Sequence, residues 1–249
     1  MKLAIARSAA TVLLSFSLSG CAQTAVFSPP PNGEQVTVTV KVPKDLAADT
    51  MHVMYRSAKC PSKESADGVP YEIDGFYPID VEPRQVGQSD LYEAKLARDG
   101  GGACQWKLSN VTFGVHYENT AQFGLDAEYA WGGGVIVIFD DNLPQRRSME
   151  RITEQSGDIT IEKEYYPWVS ESFLGGYKKR IIILGRQDVF SYKSINAKTI
   201  TFKPTFHSNK TLYSQGPKTK NKDEIPQYTY PNGDTIKTRS GPSFIKMSN

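Results

Sequence analysis

The chain is poor in the side chains that carry most catalysis. Three histidines, His52, His116 and His207, are spread over 249 residues, and neither a His-Glu-x-x-His nor a Gly-x-Ser-x-Gly motif occurs. The usual zinc-protease and hydrolase-elbow sites therefore lack their ligands and nucleophile. Each histidine falls on the more polar side of an alternating stretch, which predicts a surface position rather than a metal ligand. Cysteine is equally scarce: Cys21, Cys60 and Cys104 show no Cys-x-x-Cys spacing, so no thioredoxin-like redox pair is expected. Beyond the leader no apolar run exceeds the five residues 135–139, far short of the roughly twenty that cross a bilayer as a helix. An excess of one charge is missing too. Of 29 basic residues, Lys2 and Arg7 lie in the leader, which leaves 27 against 27 acidic residues. A neutral body has no global field for nucleic acid, and no nucleic-acid partner is expected. The glycine runs 100–102 and 132–134 lack the following helix of a phosphate cradle and read as turns. Asp140-Asp141-Asn142 lacks the glycine and final glutamate of a calcium loop. Neither metal nor cofactor is expected.

What is present begins at the N-terminus. Residues 1–20 combine Lys2 and Arg7, an apolar stretch over 9–18 and small residues before Cys21, the pattern of a secretory signal. Leu18-Ser19-Gly20-Cys21 resembles a bacterial lipobox. The resemblance implies cleavage before Cys21, a diacylglyceryl group on its sulfur and an acylated amine, and several buried chains anchor stably where one is marginal. Ala22, rather than Asp, after the cysteine implies by the same resemblance the outer membrane, with the body on its periplasmic face. Residues 21–34, with Pro29-Pro30-Pro31-Asn32-Gly33, read as a tether able to span up to ~40 Å. In an oxidising compartment the remaining pair, Cys60 and Cys104, is expected to form a disulfide worth on the order of 4 kcal/mol. Two buried thiols are the alternative.

The body alternates with a period of two. Val36, Val38, Val40 and Val42 interleave with Thr37, Thr39 and Lys41, and Met51, Val53 and Tyr55 repeat the pattern. Asp74-Gly75 between apolar residues predicts a tight turn, and the stretches 91–96 and 104–117 predict a hairpin around the glycines at 100–102. The second of these places Trp106 and Leu108 on the face of Cys104, and a tryptophan beside a disulfide resembles an immunoglobulin-like sandwich. Residues 119–134 lack a period and suggest a boundary, beyond which 135–139, 159–165, 180–184, 199–206 and 227–237 again read as strands. The chain is thus expected to be all-β, with an immunoglobulin-like β-sandwich lobe over 35–125 and a second β-rich lobe over 126–249.

One segment is unusually aromatic: Tyr165, Tyr166 and Trp168, then Phe173 and Tyr177, bounded by proline and glycine. Such residues serve as anchors for a protein partner, because they bury large area with little rotamer entropy, or they pack locally as core. The lipobox 18–21, the strand 36–42, Tyr92-Glu93-Ala94-Lys95-Leu96 and Gly100-Gly101-Gly102-Ala103-Cys104-Gln105-Trp106-Lys107-Leu108 together resemble envelope lipoproteins encoded beside type VI secretion phospholipase effectors. These are immunity proteins. The resemblance implies a cognate lipase toxin as partner, occluded without chemistry by this chain, so that no enzymatic activity is expected. A structural or assembly lipoprotein of the envelope, and a lipid-anchored enzyme with an unfamiliar site, are the alternative readings.

Overall fold

The computed structural model describes residues 26–142 and 152–248; the leader and the lipidation candidate Cys21 lie outside the described residues. The described residues are mostly strand. Alternating valines make β1 (Gln35–Lys41), with Val36, Val38 and Val40 buried and Thr37 and Thr39 half-buried. After the short β2 (Ala47–Ala48) come β3 (Met51–Ala66) and β4 (Val69–Val81), the longest hairpin. β5 (Arg84–Gln85), β6 (Leu91–Ala97), β7 (Asp99–Gly101) and β8 (Trp106–His116) follow. Next are β9 (Ala127–Gly132), β10 (Gly134–Ile138), β11 (Thr153–Glu154) and β12 (Ile159–Ser172). The last six are β13 (Lys178–Leu184), β14 (Val189–Lys193), β15 (Thr199–Phe206), β16 (Leu212–Gln215), β17 (Gln227–Thr229) and β18 (Thr235–Lys237). Helix among the described residues is confined to a 3-10 turn at Ala121–Phe123 and α1 (Ile245–Ser248).

Two sheets result. The first runs β18-β17-β16-β12-β15-β1-β6-β5, with β13 also on β12 and β9 on β13; the second runs β11-β14-β10-β8-β3-β4, with β2 and β7 on β8. They face each other across one apolar interior, where Phe113 of β8 meets Phe202 of β15 at 6.1 Å between ring centres and Tyr165 of β12 meets Phe190 of β14 at 6.3 Å. An immunoglobulin-like sandwich is built from antiparallel sheets. Here β1 and β12 both lie parallel to β15, and β10 lies parallel to β14, so the sheets are mixed. The segments 35–125 and 126–249, read as separate lobes, are interleaved: β1 pairs with β15, β8 pairs with β10, and their side chains share the interior.

Three local expectations are corrected. The stretches 91–96 and 104–117 do not pair, because β6 belongs to the first sheet and β8 to the second. The chain crosses at Arg98, whose guanidinium donates to the carbonyls of Ile195 and Ala197 and fixes the crossing point. The turn expected at Asp74-Gly75 is instead formed by Asp67 and Gly68, both at positive φ (51° and 80°), the conformation that suits a two-residue hairpin. Gly75 lies inside β4, where a Cβ would collide with the carbonyl oxygen of Cys60. Finally, the segment read as a tether is docked from Phe27 onward. Its ring packs against Tyr55 at 4.7 Å and Tyr77 at 5.7 Å, and the Ser28 amide donates to the Gly100 carbonyl.

Candidate functional site

β12 organises the aromatic segment because it changes neighbours halfway. Residues 159–165 pair in parallel with β15, and 168–171 pair in parallel with β16. Between Tyr165, opposite Phe206, and Trp168, opposite Leu212, the neighbouring chain advances six residues while β12 advances three. His207 begins this excursion, its amide donating to the Tyr165 carbonyl and its ring stacked on Tyr166 at 4.7 Å.

Alternation then divides the aromatics. Tyr165 is buried in the interior between the sheets, and burial holds its phenol far above the ordinary range. Tyr166 turns to the opposite face, into a second cluster with Leu184, Leu212, Tyr228, Tyr230 and Met247 that α1 and Phe244 cover. Neither tyrosine reaches the surface, so neither is placed to touch a partner. Trp168 is half-buried beside the second cluster, its Nε1 donating to Ser214 Oγ at 2.8 Å. Phe173 and Tyr177 alone of the five sit in the β12–β13 turn, where Gly175 and Gly176 supply positive φ.

Around that turn a surface is built. The rings of Phe173 and Tyr177 lie 5.7 Å apart, Leu174 and Tyr177 are 47% and 49% exposed, and Lys218 Nζ stands 5.3 Å over the Phe173 ring. The Tyr177 hydroxyl donates to Glu171 Oε1 at 2.8 Å and the Gln215 amide donates to Glu171 Oε2 at 3.0 Å. That carboxylate pushes the phenol of Tyr177 up to about 12. With both oxygens engaged, Glu171 ties Tyr177 of the turn to Gln215 of β16. An adjoining groove of about 400 Å³ is lined by Phe123, Val169, Glu171, Lys179, Tyr213 and Gln215. Leu174 and Tyr213 were missed by aromatic density; the outward position of Tyr213 in the buried-exposed alternation of β16 was the available signal. The arrangement offers apolar and aromatic contact framed by a few charges, which is the chemistry of recognition.

The other two histidines are held elsewhere. His52 pairs with Asp80 and His116 with Asp49, each at 2.7 Å, along a groove of about 550 Å³ that also contains Glu82, Asp188 and the exposed Trp131. The hydrogen bond to Asp49 holds the imidazole of His116 above its usual value. Among the described residues no three His, Cys, Asp or Glu side chains converge as a metal site. Cys60 and Cys104 are joined as a disulfide with Cα atoms 5.5 Å apart.

The site has a definite place in the molecule. β1, β15 and β12 run parallel, with Val38, Ile200 and Ile159 level with one another. Ser172 lies thirteen residues beyond Ile159 along β12, about 40 Å at ~3.3 Å per residue. The start of β1 adjoins Arg98, β7 and the docked N-terminal segment, so the aromatic turn stands at the opposite end from the point where the chain enters the body. Comparison with protein-family models, curated proteins and solved structures returns no match.

Proposed function

We propose that this chain is a lipid-anchored periplasmic protein that binds a secreted toxin, a phospholipase effector by the resemblance of its N-terminal half, and inhibits it by occlusion without catalysing a reaction. The observation that carries the binding half of this reading is the group of half-buried Phe173 with exposed Leu174 and Tyr177 on a braced hairpin at the end of the body remote from the N-terminal segment. Aromatic anchors on a rigid element lose little entropy on docking and are the residues that dominate interface energies. Glu171, Lys179 and Lys218 give the rim charges that orient a partner. The test uses the phospholipase encoded by the neighbouring gene as the probe. The mature chain is expected to form a stable complex with it and to suppress its lipid hydrolysis at stoichiometric ratio, whereas a neighbouring gene for envelope assembly, or no binding to the phospholipase, would reject the proposal.

A further inference from the structure

The β3–β4 hairpin is longer than the sheet that carries it. β8 stops accompanying β3 at Arg56, which lies opposite Lys107, and β4 is the edge of its sheet. Beyond the irregularity between Ser57 and Ser62 the two strands pair only with each other, from Ser62–Ile73 to Ala66–Val69. The result is a two-stranded arm with both edges unpaired. Isolated ribbons of this kind are marginal in water, and this one is fastened at its root: Cys60 is bonded to Cys104, and Ser57 Oγ donates to the Cys104 carbonyl. Cross-strand partners share a face, so Ser62, Glu64 and Ala66 lie with Ile73, Tyr71 and Val69. Val69 and Tyr71 are 66% and 48% exposed. One face of the tip is therefore largely apolar and open.

The arm emerges where the N-terminal segment enters. The Val26 carbonyl oxygen occupies the space a Cβ on Gly102 would need, two residues from Cys104. The docking of Phe27 and Ser28 removes the slack expected of a tether, because only residues 22–25 separate Val26 from the lipidation candidate Cys21. The five Cα-to-Cα steps from Cys21 to Val26 reach at most about 18 Å when fully extended. From Cys60 to Ala66 the arm runs six residues, about 20 Å at ~3.3 Å each. Anchor reach and arm projection are the same length from the same end of the body.

We propose that in the anchored protein the tip of the β3–β4 arm rests on the surface of the bilayer that holds Cys21, fixing the body upright with the β12–β13 turn facing away. The proposal rests on the lipoprotein reading for its anchor. Tyr71 and Val69 suit the interfacial layer, where an aromatic ring with a polar tip is favoured. The unpaired edges keep the arm out of the hydrocarbon, which offers their N–H and C=O groups no partners. Glu64, Asp67 and Glu72 outnumber Lys63 near the tip, so the contact is apolar and dipolar rather than an attraction to anionic lipid.

The test places p-benzoylphenylalanine at Tyr71 or at Leu174 in the mature chain, couples the Cys21 thiol to a maleimide-headgroup lipid in phosphatidylcholine–phosphatidylethanolamine vesicles, and counts lipid adducts after illumination. Position 71 is expected to give at least about tenfold more lipid adduct than position 174, with little change on adding salt. Equal yields at the two positions, or adducts chiefly at 174, would overturn the proposal and leave the arm available to a protein instead. Chemical coupling makes this outcome independent of natural acylation, which intact-mass measurement of the membrane-extracted native protein tests separately: absence of the acyl mass there would remove the lipoprotein reading while the vesicle result stood.

Discussion

Gly75 shows how closely the backbone is packed at the root of the arm, since any side chain there meets the Cys60 carbonyl, a rigid group that cannot rotate away. Gly75→Ala is expected to cost about 1–3 kcal/mol, read as a lower urea midpoint; an unchanged midpoint would show that the strands can separate there at no cost. Trp168 and Tyr177 make a contrasting pair. Trp168 packs beside the second cluster and bonds Ser214, so Trp168→Ala should lose about 2–4 kcal/mol of stability. Tyr177 is half exposed, and Tyr177→Ala should leave the thermal midpoint nearly unmoved. His116 carries a pH signature. Its folded pKa is raised by Asp49, so the stability it contributes is fully present below the unfolded imidazole value and is lost as pH rises through the folded value. The thermal midpoint should therefore fall as pH rises above about 6.5, the ordinary imidazole value, and Asp49→Asn should flatten that slope; an identical slope in the variant would remove the pair from the account. At this scale much was legible, because alternation alone distinguishes buried Val36, Val38 and Val40 from Thr37 and Thr39. It did not separate Tyr165 and Tyr166 from Phe173 and Tyr177, since a strand with both faces covered buries consecutive residues.

Among the elements, the β3–β4 arm depends most on a covalent bond. The disulfide closes a loop of 44 residues, and replacing both cysteines by alanine is expected to cost about 4 kcal/mol in the chain-entropy account. Hydrogen exchange should quicken first in 62–73, where strands have only each other, before it quickens in β8; uniform acceleration across the sheet would contradict the arm's separate status. Turns with local chemistry were readable in part, since Asp74-Gly75 reads as a turn in the sequence while Asp67-Gly68 makes it. Asn232-Gly233 lies between the paired β17 and β18, with Gly233 at positive φ. Pairings that span the chain were not. Nothing in the valines of β1 names β15 as a neighbour, and the crossing at Arg98 depends on carbonyls nearly a hundred residues away. Period-two patterning specifies that a strand has a buried face, while the choice of sheet is decided by packing among distant segments.

For the molecule as a whole, the two sheets form a layer pair with distinct ends. One end gathers the docked N-terminal segment, the disulfide and the arm; the other presents Phe173, Leu174 and Tyr177 beside a groove. That polarity suits a protein fixed at a membrane and occupied with a partner in the space beyond it. The aromatic end was visible in the sequence as density, but its distance from the N-terminus follows only from the parallel course of β1, β15 and β12. The most direct measurement titrates the proposed phospholipase partner with the mature chain and with its Leu174→Asp/Tyr177→Ala variant, following affinity and thermal midpoint together. Tight stoichiometric binding by the natural chain and a loss of about thirtyfold or more in the variant, at an unchanged midpoint, is the expected result. Binding that is absent in both, or undiminished in the variant, would contradict the account.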